Sequence, residues 1–497
     1  MNFLQQDEAK LAERGQSVAE VAATVHRFVH QTKAIKLERP CTASDGISIL
    51  NASACNKYME LYEAERKNHT IAKLVPASGA ASRMFKHLYN YSPGNTSELT
   101  EEFILNFDRF PFLEKLKEVM HRNRLELEAC VRDNQWQTIF EYILTEKGLH
   151  YDAQLKGLVT FHAYPDKGRT AFEEHLHEAV HYAKQHDGTC RIHFTLAPQH
   201  VSTVEYFLSE CTKEFSYEDF RIECSVQSTA TDTPALTKDN ELLRDAEGNI
   251  TFRPSGHGAL IRNLQVMDAD IIFIKNIDNV TTDSQRSESV FFKKVLAGLL
   301  IELRRESHRL MLAMEAGDDG VVEQALEFIQ HWFQPGIPIG GDRRQLMQYA
   351  RLRLDRPLRV CGMVRNEGEP GGGPFWIKSV DGTVSKQIVE KSQTDVHDAQ
   401  QTKILAESTH FNPVDIVCSI RNGVGKSYEL NNFIDHSTGF VSEKFHEGKV
   451  IRALELPGLW NGAMALWNTV FVEVPVSTFN PVKTVNDLLR PGHQHNL

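Results

Sequence analysis

Ile71-Ala-Lys-Leu-Val-Pro76 runs directly into Ala77-Ser-Gly-Ala-Ala-Ser-Arg83, with Met-Phe-Lys86 behind it. The first stretch is a short apolar run and reads as a buried strand. The second is a loop of small residues, whose backbone N–H groups can approach an anion closely. Arg83 at its end has the fork geometry that suits phosphate oxygens. On this segment alone, a tight strand-to-helix turn with a surface arginine is an equal reading.

The segments on either side decide between open and closed architectures. Residues 8–37 are rich in Ala, Glu, Gln and Lys and read as mostly helical. From about 98 to 150 the pattern is amphipathic helix, with Phe103, Ile104, Phe107, Leu113, Leu116, Val119 and Met120 at helical spacing. Leu158-Val-Thr-Phe161 reads as a strand, Pro165-Asp-Lys-Gly168 as a turn, and Thr170-Ala-Phe-Glu173 as a capping box. Behind the box, Phe172, Leu176, Ala179, Val180 and Ala183 line one helical face. Ile192–Leu196 reads as a strand and Val201–Cys211 as a helix, and Ile271-Ile-Phe-Ile274 is apolar on both faces, as a central parallel strand must be. Residues 284–350 are strongly helical, and from 358 onward β-branched residues, Gly and Pro suggest strands. This alternation predicts an open α/β sheet with ligands at the carboxyl ends of its strands. The expected organisation is a helical segment over 1–69, an α/β core over 70–357 with a helical insertion at 98–150, and a strand-rich portion over 358–497.

The chain has 497 residues and a net charge of −11, which argues against a broad nucleic-acid surface but allows a local basic site. The N-terminus lacks the basic-then-apolar pattern of a signal peptide, and no apolar run approaches the roughly 20 residues needed to cross a bilayer. Eight scattered cysteines without a C-x-x-C pair fit reduced thiols. The expectation is a cytoplasmic protein with neither membrane nor nucleic-acid partner.

Three further segments carry chemistry in their own right. In Pro254-Ser-Gly-His-Gly-Ala-Leu-Ile-Arg262, glycines flank His257, and Gly256 and Gly258 would let the backbone lie flat against a base or ribose. A turn with a glycine pair is the alternative. Asp278 in Ile271-Ile-Phe-Ile-Lys-Asn-Ile-Asp-Asn279 stands just past an apolar strand, where a carboxylate could hold Mg²⁺ near a phosphate. Gln227, after Ser225-Val226, carries a donor and an acceptor together on one side chain, or is a solvated loop residue. Two decoys are set aside. Asp268-Ala-Asp270 precedes its strand rather than following it. Gly423-Val-Gly-Lys-Ser427 has Ile420 where a Walker A motif needs glycine.

Together with Asn480-Pro-Val-Lys-Thr-Val-Asn-Asp-Leu-Leu489, these segments resemble, in order along the chain, the working parts of UDP-sugar pyrophosphorylases. The small-residue loop is similar to the Gly-rich signature of sugar nucleotidyltransferases, with Ala77, Ser78 and Gly79 as its nucleotide-binding residues; Ser78, Ala80 and Ala81 stand where that signature favours glycine. Asn276-Ile-Asp-Asn279 matches the family motif residue for residue. Gly256-His-Gly258 and Gln227 resemble the uridylyl branch, with Ala259 departing from it. Lys156 looks like a displaced phosphate-binding lysine, and Lys483 resembles the C-terminal lysine that reaches phosphate. Gly372 and Gly373, Glu390 in Ile388-Val-Glu-Lys-Ser-Gln393, and Asn461 in Trp460-Asn-Gly462 resemble the sugar side. Phe161-His-Ala-Tyr164 and Arg169-Thr-Ala-Phe-Glu-Glu-His-Leu176, with the long insertion, resemble a divergent bacterial family without assigned function.

The resemblance implies a Rossmann-like nucleotide-diphospho-sugar transferase (GT-A-like) sandwich with a sugar-side subdomain. The implied reaction is attack of a sugar 1-phosphate on the α-phosphorus of UTP, releasing pyrophosphate, with Mg²⁺, Arg83, Lys156 and Lys483 supplying charge. Relatives often carry a further C-terminal domain beyond the lysine motif, which is not expected here. Two other classes stay open: a protein that binds a UDP-sugar without turning it over, and a glycosyltransferase using it as donor. The Lys483 motif argues against the second.

Overall fold

The computed structural model describes residues 3–30, 34–94, 96–215, 219–318, 320–333, 341–368, 371–378, 383–446 and 449–494. Its chain forms two compact units, each assembled from three stretches. Unit 1 comprises Met1–Thr70, Val226–Ile274 and Lys294–Val474; unit 2 comprises Ile71–Ser225, Lys275–Lys293 and Pro475–Leu497.

In unit 2 the Ile71–Pro76 strand pairs in parallel with Thr189–Leu196, Lys73 opposite Ile192 and Pro76 opposite Thr195, and Asp219–Val226 lies beyond. Ile71, Leu74 and Val75 are fully buried, as a strand covered on both faces requires. The capping box forms as expected: the Glu173 carboxylate accepts the Thr170 N–H at 2.7 Å, and Thr170 Oγ1 accepts the Glu173 N–H. It starts the Ala171–Tyr182 helix. Phe172, Leu176, Ala179 and Ala183 are buried on the expected face, but Glu173, Glu174, His175 and Glu178 are buried too. Leu158–Phe161 differs from expectation. Its first residue closes a 3-10 turn, and Thr160–Ala163 forms an antiparallel hairpin with Gly168–Thr170 instead of joining the sheet.

The 98–150 block is helical, in four short pieces: Glu98–Leu105, Leu113–Arg122, Leu127–Arg132 and Trp136–Leu144. Arg124 and Asn134 sit just past two of these ends with φ of +62° and +53°, the left-handed stop of a helix. The pieces close on an aromatic core. Phe103 stacks on Phe110 at 4.3 Å, and Phe85, from just beyond the small-residue loop, stacks on Tyr151 at 5.3 Å.

In unit 1 the expected N-terminal helix is two, Gln5–Glu13 and Val18–His30, hinged at Gly15 with φ of +72°. Residues 31–33 lie outside the described residues, and Leu37–Pro40 is a strand. The sheet order is Ile47–Ser48, Asn468–Glu473, Leu358–Arg365, His410–Ser419, Ile271–Lys275. The first three pair in parallel, and His410–Ser419 runs antiparallel to Leu358–Arg365. Residues Ile271 to Lys275 are all buried, as a central strand demands. A second sheet joins Leu37–Pro40, Gly372–Lys378 and Val384–Glu390. Helices Arg286–Glu315, Val321–Trp332 and Arg343–Leu354 fill the expected helical region; residues 319 and 334–340 of it lie outside the described residues.

The decoys resolve as expected. Gly423–Ser427 is a turn closed by the Asn422 N–H on the Lys426 carbonyl, and the Asp270 carboxylate accepts the Thr70 N–H and pairs with Arg304 and Arg421. All eight cysteines are free thiols. Among the described residues no helix is long and apolar enough to cross a membrane.

Thr170→Ala removes the side chain that starts the Ala171–Tyr182 helix. Urea unfolding should show a loss of about 1 kcal/mol with an unchanged m-value.

Candidate functional site

The residues singled out in the sequence fall into two groups, one in each unit. In unit 2 the small-residue loop is pinned at its ends and open in its middle. Ala77 N–H donates to the Thr195 carbonyl at 2.9 Å, Ala81 N–H to Gln154, and Lys156 N–H to Gly79. Ser78, Gly79 and Ala80 are exposed, and among the described residues their N–H groups meet no acceptor. A Cβ on Gly79 would find nothing within 4 Å, so the space over the loop is free. Arg83 ends the 3-10 turn Ala81–Arg83, exposed and without a side-chain partner among the described residues. The arrangement is a donor-lined loop with an uncommitted guanidinium beside it.

The bond that holds Gly79 also fixes Lys156, whose ammonium donates to Asp278 Oδ2 at 2.8 Å. Lys483 donates to the same oxygen at 3.2 Å. The structure thus gathers Lys156, Asp278 and Lys483 from stretches 122 and 205 residues apart in sequence. Burial pushes Lys156 below the ordinary lysine value, against the pull of Asp278. Burial would raise Asp278, but Lys156 and Lys483 outweigh it and hold the carboxyl below its usual range. The lysines differ in freedom: the Lys156 side chain is 13 % exposed and that of Lys483 56 %. Lys483 is the one with room to swing to a ligand.

Its segment is seated by backbone bonds. Asn480 N–H donates to Asn279 Oδ1 at 2.9 Å, Val482 N–H to the Asp278 carbonyl, and Val485 N–H to the Met84 carbonyl. Asn486 Nδ2 donates to the Leu99 carbonyl and to Glu102, so the helical block holds this segment as well as the loop.

Two buried polar clusters in unit 2 were given no role from sequence, although His162, Glu174 and His175 lie in the quoted Phe161–Tyr164 and Arg169–Leu176 segments. Glu178 accepts Lys275 Nζ at 2.7 Å and Lys73 Nζ at 3.3 Å, and His175 Nε2 bonds the Ile277 carbonyl, one residue before Asp278. His162 bridges Glu174 at 2.9 Å and His493 at 2.9 Å, while Arg286 closes on the other Glu174 oxygen. The signal for the first was a lysine inside each of two apolar strands; the partners are tertiary and leave no local trace.

In unit 1, His257 stacks on Trp460 with centroids 4.2 Å apart, and its Nδ1 accepts the Leu459 N–H at 3.0 Å. Burial takes its pKa down to about 4, so the ring is neutral and its proton sits on Nε2, 4.0 Å from Glu390 Oε1. Burial raises the Glu390 carboxyl, partly offset by Asn461. Asn461 Nδ2 donates to the Ile388 carbonyl and to Gln393, while its Oδ1 is buried without a partner. Gln227 likewise carries a buried Nε2 without an acceptor. Gly372 and Gly373 are buried opposite Glu390 and Val389 in the strand pair.

The glycines answer to packing. A Cβ on Gly258 would run into the Pro457 carbonyl oxygen, and one on Gly372 would meet Ile388 at 2.9 Å. Both are required by neighbouring chain, a different reason from room for a base.

Among the described residues no group of three His, Cys, Asp or Glu side chains stands together to hold a metal. Asp278 is a single carboxylate with two ammonium groups on one oxygen. A lone carboxylate holds Mg²⁺ only together with substrate phosphates, and both ammonium groups stand on its Oδ2.

The fold is a mixed α/β fold similar to that of a UDP-sugar pyrophosphorylase. The uridine diphosphate N-acetylglucosamine pyrophosphorylase of Trypanosoma brucei superposes with a TM-score of 0.51 at 13 % identity, over 98 % of this chain and 79 % of that one. Two point mutants of UDP-glucose pyrophosphorylase from Leishmania major are more distant. One, in complex with UDP-glucose, has a TM-score of 0.45 at 13 % identity, over 98 % of this chain and 79 % of that one. The other has a TM-score of 0.40 at 14 % identity, over 92 % and 70 %. No curated protein matches in sequence. Residues 4–494 match the family described as "Domain of unknown function (DUF4301)", and the chain belongs to that family.

Two outcomes follow from the electrostatics. Asp278→Asn leaves a buried ammonium without its counter-charge and should cost about 3 kcal/mol in urea unfolding. Lys483→Ala, at the exposed end, should cost under about 1 kcal/mol. Burial holds His177 at about 4 and His175 and His493 well below the ordinary histidine value. The unfolded chain therefore binds protons that the folded one does not, starting at about pH 6.5. Stability should be fully present above that pH and fall as pH drops toward 4. A His177→Gln variant should show a shallower fall in melting temperature over the same range.

Proposed function

We propose that this protein is a nucleotidyltransferase that joins a sugar 1-phosphate to a nucleoside triphosphate, with UTP the favoured nucleotide, and releases pyrophosphate. The observation that carries the reading is the convergence of Lys156 and Lys483 on Asp278, with Lys156 bonded through its backbone to the small-residue loop. A phosphate oxygen of the sugar 1-phosphate forms a bond to the α-phosphorus while the bond from that phosphorus to the bridging oxygen breaks, and the electron pair leaves on pyrophosphate. Such a step needs positioning and charge neutralisation more than covalent help. The open N–H groups of Ser78, Gly79 and Ala80 orient the triphosphate, and Arg83 and Lys156 draw charge from it. Lys483 leaves Asp278 for the reacting phosphates. Asp278 holds both ammonium groups in place before substrate arrives. For base and sugar the reading rests on the resemblance alone, which gives Gln227 and His257 to the base and Glu390 and Asn461 to the sugar hydroxyls. Mg²⁺ would enter with the triphosphate, and none of these roles depends on it.

Two observations favour a second reading, binding of a nucleotide-sugar without turnover. Asp278 already satisfies both lysines, and Ser78, Ala80 and Ala81 replace the glycines that bring a loop closest to phosphate.

Pyrophosphate release should appear with UTP and at least one sugar 1-phosphate from a panel, and UTP should raise the melting temperature more than ATP or GTP. Lys483→Ala should then remove roughly 2–4 kcal/mol of transition-state stabilisation, lowering kcat more than it raises KM. Clear UDP-sugar binding with no pyrophosphate from any pairing would establish the second reading. Turnover that survives Lys483→Ala would remove that lysine from the mechanism. Gln227→Met should level the melting-temperature shifts among the nucleotides; an unchanged preference for UTP would clear Gln227 of base reading.

A further inference from the structure

Unit 1 holds a cavity of about 270 Å³ against the Val18–His30 helix, the loop at 230–234 and the Gly256–Leu260 turn. Much of its lining is apolar, with Val21, Ala230, Ile261, Ile434 and Leu456 contributing. Two guanidinium groups reach it: Arg27, half-buried on the helix, and Arg262, exposed. Neither has a hydrogen bond or an ion pair among the described residues. The two carboxylates of the lining are both engaged. Asp232 accepts from Arg14 Nη2, and Glu20 accepts the Ser17 N–H and hydroxyl, each at 2.8 Å. Those Ser17 bonds hold the Glu20 carboxyl below its usual value, and Arg262 adds a smaller pull. His436, also in the lining, is lowered by desolvation and by Arg27, so it is neutral at pH 7.

Gln16 leaves an acceptor in the same lining. Its Nε2 donates to the carbonyls of Ala230 and Asp232 at 3.0 and 2.8 Å, which fixes the orientation of the amide, and its Oε1 is buried without a donor. Another part of the wall belongs to the segments that hold His257. Gly258, Ala259, Leu456 and Pro457 all line the cavity, and the Pro457 carbonyl stands where a Gly258 Cβ would go. Two residues on, the Leu459 N–H donates to His257 Nδ1, and Trp460 stacks on the same ring. An occupant pressed against this wall is therefore felt at Trp460.

We propose that this cavity binds a small monocarboxylate with an apolar body and a hydrogen-bond donor at its other end. The uncommitted guanidinium of Arg27 forks onto the carboxylate, the apolar lining takes the body, and Gln16 Oε1 takes the donor. One negative charge fits better than two, because Glu20 and Asp232 keep theirs in the same walls. The volume lies just below the range of about 300–1,000 Å³ usual for small-ligand sites, which limits the body to about one ring. None of the residues given a part in the nucleotidyltransferase reading lines the cavity, so the proposal stands apart from that reading.

The test titrates the full chain with 4-hydroxycyclohexanecarboxylate, cyclohexanecarboxylate and cyclohexylmethanol, against sodium chloride at matched ionic strength, following melting temperature and tryptophan fluorescence. Both acids should give saturable shifts that the alcohol and chloride do not, with the hydroxy acid binding at least threefold more tightly. Arg27→Gln should melt as wild type does without ligand and weaken both acids at least tenfold; Arg262→Gln should weaken them at least threefold. Trp460→Phe should lose the fluorescence change and keep the thermal shift. Uridine should not displace either acid, and the Lys156→Met/Lys483→Met double variant should respond as wild type does. Four results would overturn the proposal: no saturable shift beyond chloride; the alcohol binding as tightly as the acids; a response undiminished in both arginine variants; or displacement by uridine, which would make the cavity a base pocket. Equal binding of the two acids would overturn the donor assigned to Gln16, and a fluorescence change that survives Trp460→Phe would overturn the link to His257.

Discussion

Glu178 is a carboxylate with no access to water, and the parts of unit 2 that carry the site are arranged around it. Lys275 lies at 2.7 Å, Lys73 at 3.3 Å, and the Tyr182 hydroxyl donates at 3.2 Å. These groups come from one strand, the end of another and the helix between, so the ion cluster sets how far each slides past the next. An apolar trio of the same volume would hold the layers as firmly. What it would lack is register: charges tolerate only the pairing that satisfies all of them at once. Through His175 on the Ile277 carbonyl, that register is passed directly to the backbone that presents Asp278.

The helical block at 98–150 serves the same end from the other side. Its aromatic core takes in Phe85, which fixes the far end of the small-residue loop, and its Leu99 and Glu102 hold Asn486 behind Lys483. The loop and the lysine segment are each irregular and would drift if left to themselves. Packing both against one rigid block keeps them in step. The buried Glu174–His162–His493 chain adds a third anchor for the same C-terminal stretch.

Much of this was legible in the residues. The Thr170–Glu173 capping box, the five-residue buried strand ending at Lys275 and the strand-rich region after 358 follow from local patterns that tertiary packing reinforces. The grouping of Lys156, Asp278 and Lys483 came from the resemblance alone, since no local pattern or spacing rule links residues so far apart. The hairpin at Thr160–Ala163 was missed because an apolar run looks alike whether it joins a sheet or folds back on its own turn. The glycines of Gly256-His-Gly258 were noticed for ligand clearance, whereas Pro457 demands one of them; a sequence marks that a Cβ is absent, never what stands in its place. The buried cations Lys386 and Arg359 gave no signal, since a charged residue in a strand reads as exposed until its neighbours are known.

Unit 2 is written in three instalments, and the last begins at Pro475. As the chain is synthesised from its N-terminus, Asp278 emerges long before Lys483, which follows 205 residues later. Through that interval the Ile71–Ser225 stretch can collapse and Lys156 can find its carboxylate, but the loop lacks the segment that Met84 and Asn279 are placed to receive. The order of translation therefore makes the lysine site one of the last features of its unit to mature, and a partly made chain holds a half-built anion site that nothing yet completes.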